Sequence, residues 1–226
     1  MSPRRRRIPK RSGPSIREQV WNIPNVLTYG RVLLVPFVMY FLYQCEAGVA
    51  TDALDYNGRL YSFIATALFA LAALTDFLDG WIARNWNLGS MVGRFMDPLA
   101  DKIIVMACLV MMVHLQRVPA WFVVLLLARE LSITSLRAIA TEEGLEVAVS
   151  QSGKWKTAFQ LCGLIGVLLH YEYATSWGFI DTVFNYNKVG MGLLAISMAF
   201  SIYSAVVYFY RFAVAAALVE SSEDDQ

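Results

Sequence analysis

The sequence predicts an all-α integral membrane protein of six transmembrane helices, and three observations carry that prediction. The 226 residues are 57% hydrophobic with a mean hydropathy of +0.47, too apolar for an ordinary soluble domain. The apolar residues come in runs, and Val189–Tyr210 is 22 residues without a charge, enough to cross a bilayer. Lys and Arg are also segregated. With a cytoplasmic N-terminus and six spans, all 19 basic residues except Arg59, Arg117 and Lys188 fall on the inner side, following the positive-inside rule. A soluble helical protein with a buried core is the alternative that these runs oppose.

From the N-terminus, MSPRRRRIPKR contains no acidic residue and suits an anionic inner leaflet or a disordered basic tail. Ser15-Ile16-Arg17-Glu18 has the form of a capping box. It predicts a short interfacial helix with Ile16, Val20 and Trp21 on one side. The first span follows Asn22–Asn25 and centres on Val32–Tyr43; the next is Leu60–Thr75, ending directly at Asp76. Ile103–Leu115, Pro119–Ala128 and Thr157–Leu169 reach spanning length only when their polar ends are counted. No cleavable signal peptide is expected, because the first apolar run starts late, holds Arg31 and lacks a small-residue cleavage site. Cys45, Cys108 and Cys162 fit neither a disulfide framework nor a zinc site and are expected to pack. His114 and His170 are expected near the outer boundaries. The tail Ser221–Gln226, with Glu223, Asp224 and Asp225, is expected to be solvated.

Polar residues inside the spans alternate in position. Span one holds Asn25, Thr28 and Arg31 in its first half, and span two holds Asp76, Asp79 and Arg84 in its last. Span three begins with Asp97, Asp101 and Lys102; span four ends with Arg129, Glu130 and Arg137; span five begins with Lys154 and Lys156. Consecutive spans run in opposite directions, so all these groups belong at the cytoplasmic end. Ionisable residues within membrane segments are costly and face a cavity or one another. A polar chamber open to the cytoplasm accommodates them.

Four aspartates within DFLDGWIARNWNLGSMVGRFMDPLAD, residues 76–101, need a compensating partner, since like charges repel and lose hydration on crowding. Asp76, Asp79, Gly80 and Ala83 share a helix face by their offsets, and Gly93, Asp97 and Asp101 repeat at steps of four. If the two helices pack antiparallel across Asn85–Val92, the carboxylate faces can meet. Such a group favours hard cations, Mg2+ or Mn2+ above all, one or two in number. Those ions would in turn attract a phosphate or diphosphate. Gly80, Ala83 and Gly93 leave room for close approach, or for tight helix contact. Asp97-Pro98 also reads as a helix N-cap followed by proline at the first turn, which accounts for one aspartate but not for four.

The stretch matches D-x2-D-G-x2-A-R-x8-G-x3-D-x3-D at Asp76, Asp79, Gly80, Ala83, Arg84, Gly93, Asp97 and Asp101. It resembles the CDP-alcohol phosphotransferase family of integral membrane enzymes. The resemblance implies that Asp76, Asp79, Asp97 and Asp101 hold the metal ions, expected to be two. It implies that Asp101 is the general base on the acceptor hydroxyl. It further implies that Asp79, Gly80, Ala83, Arg84 and Gly93 line the cytidine diphosphate site, with Asn25 and Thr28 helping to hold the nucleotide. NIPNVLTYGR at Asn22–Arg31, ARELSITSLR at Ala128–Arg137 and GKWKT at Gly153–Thr157 are similar to one branch of the family. That branch moves a phosphatidyl group from CDP-diacylglycerol to sn-glycerol 3-phosphate. The acceptor phosphate needs cations, and Arg129, Arg137, Lys154 and Lys156 are the candidates; Arg129 has a structural bridge as its other reading. No Ser–His or Cys–His arrangement suggests a covalent intermediate.

The expected layout is a basic tail and interfacial helix at 1–21, a transmembrane catalytic domain at 22–216 and an acidic tail at 217–226. The family implies a homodimer in the inner (cytoplasmic) membrane, among membrane lipids, with both termini and the active site on the cytoplasmic side. No nucleic-acid partner is expected. Transfer to serine, inositol phosphate or a second phosphatidylglycerol would use the same aspartates. The basic residues of spans four and five oppose neutral acceptors but leave inositol phosphate open. A divalent-cation transporter is the alternative from another class. A transport path would carry ionisable groups at the midplane or on both sides, whereas here they stop at one end. Prenyl-diphosphate chemistry fits less well, since it leaves the Gly-x2-Ala-Arg portion and Gly93 without a role.

Overall fold

The computed structural model describes residues 23–48, 55–86, 91–143, 152–176 and 181–224. Six helices lie within them: α1 Ile23–Gly48, α2 Asp55–Trp86, α3 Met91–His114, α4 Ala120–Glu142, α5 Ser152–Leu169 and α6 Tyr186–Asp224. The interfacial helix expected before residue 22 and the ends of both tails lie outside the described residues.

The all-α expectation needs one correction. Between α5 and α6 the chain forms an antiparallel hairpin, β1 Glu172–Ser176 against β2 Asp181–Asn185, in register from Glu172↔Asn185 to Ser176↔Asp181. Tyr173, Thr175, Thr182, Val183 and Phe184 are β-branched or aromatic residues that favour strands. Five residues per strand are too few to stand out beside long apolar runs.

Helices α1, α2 and α6 bury polar residues within their inward stripes while large apolar side chains cover their outward faces. On α1 the buried stripe is Asn25, Thr28, Arg31, Val35, Val38, Leu42 and Cys45, spaced by three or four. Its polar members are nearly inaccessible, Thr28 at 0% and Arg31 at 1%, while Leu33 on the other face is 66% exposed. On α2, Ser62, Ala65, Thr66, Phe69 and Ala72 face inward, while Leu60, Phe63, Leu71, Leu74 and Phe77 face outward. Ser197 and Ser201 are buried on α6, whereas Ile202, Val206, Phe209 and Tyr210 are exposed. Leucine and phenylalanine turned outward around buried serine, threonine and arginine require an apolar solvent.

Among the described residues three segments are long and apolar enough to cross a membrane by composition: Asn25–Cys45, Asn57–Leu78 and Tyr186–Ala215. The six-span expectation exceeds this number. Helices α3, α4 and α5 carry their charged residues within the helical length, which lowers the mean hydropathy of any window drawn over them. At 24, 23 and 18 residues and about 1.5 Å per residue they are roughly 27–36 Å long.

Helices α1 and α2 form one extensive pair and α5 and α6 another, with α1 also against α3, α2 against α5, and α4 against α6. The expected α2–α3 pairing is sparse among the described residues, because α1 packs on both. In the α5–α6 pair, Gly163 and Gly166 face Gly190. A Cβ built on Gly190 would fall 2.5 Å from the Val167 nitrogen and 2.7 Å from the Gly163 carbonyl oxygen. Only hydrogen at these positions lets the backbones come so close.

The helices alternate in direction, as their end contacts demonstrate. Arg31 early in α1 meets Asp76 late in α2, and Cys45 late in α1 contacts the Ser62 hydroxyl early in α2 at 3.6 Å. Beyond α3 the chain closes a Schellman turn: Gln116 takes a left-handed φ of 55°, with Gln116 N donating to Val113 O and Arg117 N to Met112 O. That turn aims the Arg117 guanidinium back into the bundle. It donates to the Leu168 carbonyl at 2.9 Å and to the Ser62 hydroxyl at 3.0 Å. Arg117 thereby ties α2, the α3–α4 connection and the C-terminus of α5 together, at the end opposite Asp76. Cations at a helix C-terminus also complement its dipole. Arg117→Leu should destabilise the detergent-solubilised protein by about 2–3 kcal/mol, the worth of hydrogen bonds to a charged group, read as a fall in melting temperature.

Of the cysteines, Cys45 and Cys108 are buried, as expected for packing residues, but Cys162 is exposed. It sits on the outward side of α5, where an apolar thiol is compatible with hydrocarbon. His114 is exposed and stacks on Tyr43 with ring centroids 6.5 Å apart, while His170 is half-buried just beyond α5.

Candidate active site

The alternating directions gather the charged residues of five helices at one end of the bundle. Arg31, on the buried stripe of α1, donates from Nη1 to Asp76 Oδ1 at 2.5 Å. The arginine is buried, whereas the Asp76 side chain is 43% exposed. A guanidinium held so deep is compensated by that carboxylate, and the carboxylate is fixed in orientation by it. Thr28 and Asn25 lie on the same stripe, about one and two turns before Arg31 respectively, both buried.

Asp101, on α3, is exposed at the same end and lies within electrostatic reach of Asp76, Arg31, Glu130 and Lys102. Asp76 and Asp101 thus share one neighbourhood. Asp79 stands three residues after Asp76, and Asp97 four before Asp101, on α2 and α3 respectively. The side chains of Asp79, Gly80, Ala83, Arg84, Gly93, Asp97 and Lys154 lie outside the described residues. Among the described residues no three acidic, histidine or cysteine side chains form a metal-holding group. Asp76 and Asp101 supply only oxygen donors, the chemistry that suits Mg2+ or Mn2+.

A cleft opens between α3, α4 and α5, with Asp101, Lys102, Glu130, Lys156, Thr157 and Gln160 on its polar side. Val105, Leu126, Leu161 and Leu164 form its apolar wall. A mostly apolar lining with a few convergent charges is the pattern of a small-molecule binding cleft. Lys102 Nζ donates to the Thr134 hydroxyl, joining α3 to α4.

Glu130 is the hub of the α4–α5 side. Its Oε2 accepts from Lys156 Nζ and from Arg129 Nη1, the latter at 3.2 Å. Arg129 is steadied from behind by Nε donating to the Ser201 carbonyl of α6 at 2.8 Å. Lys156 is buried, and its own carbonyl accepts from the Ser197 hydroxyl at 2.9 Å. Among the described members of the predicted phosphate-binding set, Lys156 lines the cleft, Arg129 borders it through Glu130, and the Arg137 guanidinium stands over the Tyr208 ring at 5.8 Å. Arg129 and Arg137 both lean on α6, which follows from their separation of eight residues.

Sequence reasoning singled out neither Glu130, Lys102, Thr157 nor Gln160 as site residues. Glu130 and Lys102 are adjacent to residues that were singled out, and their charge inside an apolar helix was the available signal. Thr157 and Gln160 carry no such mark.

The pattern of the CDP-alcohol phosphatidyltransferase family matches residues 21–217. Among curated relatives, a protein from Bacillus subtilis named CDP-diacylglycerol--glycerol-3-phosphate 3-phosphatidyltransferase is 34% identical over 151 residues, covering 67% of this chain and 78% of the relative. A protein of the same name from Haemophilus influenzae is 35% identical over 197 residues, covering 83% and 91% respectively. A cardiolipin synthase (CMP-forming) from Oryza sativa subsp. japonica is 34% identical over 200 residues, covering 82% of this chain and 56% of the relative.

Proposed function

The chain belongs to the CDP-alcohol phosphatidyltransferase family, and from that membership we propose that it transfers the phosphatidyl group of CDP-diacylglycerol to sn-glycerol 3-phosphate. The products are phosphatidylglycerol phosphate and CMP. The observation that carries this reading is the name shared by the Bacillus subtilis and Haemophilus influenzae relatives, which states both substrates. A cleft with lysines at its polar mouth suits an anionic acceptor.

In the proposed reaction the exposed Asp101 carboxylate takes the proton of the acceptor's 1-hydroxyl. The oxygen attacks, in line, the phosphorus bearing the diacylglycerol; the new P–O bond forms as the bond to CMP breaks. Divalent metal, a general property of the family, would be Mg2+ or Mn2+ held by Asp76, Asp79, Asp97 and Asp101, supplying positive charge against the diphosphate. Arg31 orients Asp76 for that set. Asn25, Thr28, Asp79, Gly80, Ala83, Arg84 and Gly93 would receive the cytidine diphosphate. Arg129, Arg137, Lys154 and Lys156 would receive the acceptor phosphate. The acyl chains stay in the bilayer, against the outward apolar faces.

The reading includes six spans in the inner membrane, with the aspartate end and both termini in the cytoplasm. The distribution of Lys and Arg supports that orientation. It also includes a homodimer and the division at residues 21 and 216.

An acceptor panel with labelled CDP-diacylglycerol tests the assignment. Release of CMP should depend on sn-glycerol 3-phosphate, with serine and inositol phosphate inert. The Oryza sativa relative favours a second reading, in which phosphatidylglycerol is the acceptor. Cardiolipin formed from added phosphatidylglycerol, in preference to product from glycerol 3-phosphate, would establish that reading instead.

A further inference from the structure

The cations beside the cleft are already engaged. Glu130 Oε2 accepts from Lys156 and Arg129 together, at side-chain exposures of 29% for the carboxylate, 7% for the lysine and 12% for the arginine. Both cations are therefore neutralised internally, by an anion that itself lines the cleft opposite Asp101. Formal charges on the lining balance: Asp101 and Glu130 against Lys102 and Lys156. An incoming phosphate needs the same N–H groups, and so comes into competition with Glu130. Charge-assisted hydrogen bonds away from water are strong enough for that competition to govern affinity. The reverse step matters as much. A phosphorylated lipid product carries the same phosphate, and cations without a partner of their own would retain it.

Resting on the acceptor assignment above, we infer that Glu130 is a displaceable internal counter-anion for the acceptor's phosphate. It holds Lys156 and Arg129 in place while the cleft is empty, yields their donors to the phosphate, and reclaims them as product leaves. Glu130 is thus a positioning residue that sets affinity and release and touches no reacting atom. Arg129 stays anchored throughout by the Ser201 carbonyl, so Lys156 and the Glu130 carboxylate are the parts that move.

The test is Glu130→Gln in the full-length detergent-solubilised protein, with inorganic phosphate as probe. The amide keeps the shape and one acceptor but loses the competing charge. Inhibition by inorganic phosphate should strengthen by about tenfold, equivalent to about 1.4 kcal/mol. KM for glycerol 3-phosphate should fall with it, and kcat should fall because product is held. A purely structural role for Glu130 would lower kcat without strengthening phosphate inhibition. Unchanged or weaker inhibition by phosphate would overturn the inference. If the Gln variant does not fold, Glu130→Asp carries the test: its shorter carboxylate loses reach to one cation, so phosphate inhibition should strengthen by a smaller factor, and no change would overturn the proposal. A wild-type protein insensitive to inorganic phosphate would remove the acceptor-site reading and this inference together. A wild-type protein that binds phosphate, beside a Gln variant that binds it no tighter, would remove this inference alone.

Discussion

Asp101→Asn is expected to lower phosphatidyl transfer by about 10²- to 10⁴-fold, the usual worth of a positioned general base, while CDP-diacylglycerol still binds. The substitution preserves shape and one oxygen but abolishes proton affinity. Asp101 is exposed at the mouth of the cleft, so neutralising it leaves no desolvated partner behind and should not unfold the protein. Its neighbours Lys102 and Arg31 keep their own contacts, to Thr134 and Asp76. The measurement is CMP release from CDP-diacylglycerol in purified protein, with binding of the donor followed separately by protection against heat. Retained turnover would remove Asp101 as the base. Loss of donor binding along with turnover would assign the residue to holding the donor.

Gly190→Val is expected to have the largest effect on the fold. The Cβ that it adds would fall 2.5 Å from a backbone nitrogen and 2.8 Å from the Gly166 carbonyl carbon of α5. Backbone atoms have no rotamer to change, so α5 and α6 must separate along their most extensive contact. Overpacking costs about 1–3 kcal/mol where side chains can adjust, and this site belongs at or above the top of that range. At about 2–4 °C per kcal/mol for a chain of this size, the melting temperature should fall by roughly 6–12 °C. Gly192, two residues on, has nothing within 4 Å of its Cβ position. Gly192→Ala should therefore leave stability unchanged or slightly raised. Equal behaviour of the two variants would contradict the close α5–α6 crossing.

The motif from Asp76 to Asp101 stands out in the sequence because charge inside an apolar run is conspicuous and its spacing is fixed; of its eight positions the structure describes the side chains of Asp76 and Asp101. The alternation of polar ends likewise puts Arg31, Asp76, Asp101, Glu130 and Lys156 at one end; the structure pairs Arg31 with Asp76 and Glu130 with Lys156, and Asp101 lines the same cleft as the latter pair. What sequence could not give was the partner of each group. Arg31 was read as one polar residue among several in span one, yet it is the counter-ion of Asp76, 45 positions away. Glu130 stands in the sequence as one of three charges closing span four, yet it joins α4 to α5. Such pairings depend on the rotation of each helix about its axis, which packing decides. The same reason underlies the α2–α3 contact. Adjacent spans were expected to meet face to face, but α1, earlier in the chain, packs on both. The β-hairpin escaped because its strands are short, and α3, α4 and α5 fall below a membrane-span hydropathy because their site residues are charged.

The Arg117 contacts carry a mechanical consequence. One extremity of the bundle is fastened by Arg117, and the other by the ion pairs Arg31–Asp76 and Lys156–Glu130. Lys156 lies twelve residues from Leu168 along α5, a lever arm of roughly 18 Å. Backbone packing at Gly163, Gly166 and Gly190 and the Ser197 hydrogen bond to the Lys156 carbonyl make that arm move only together with α6.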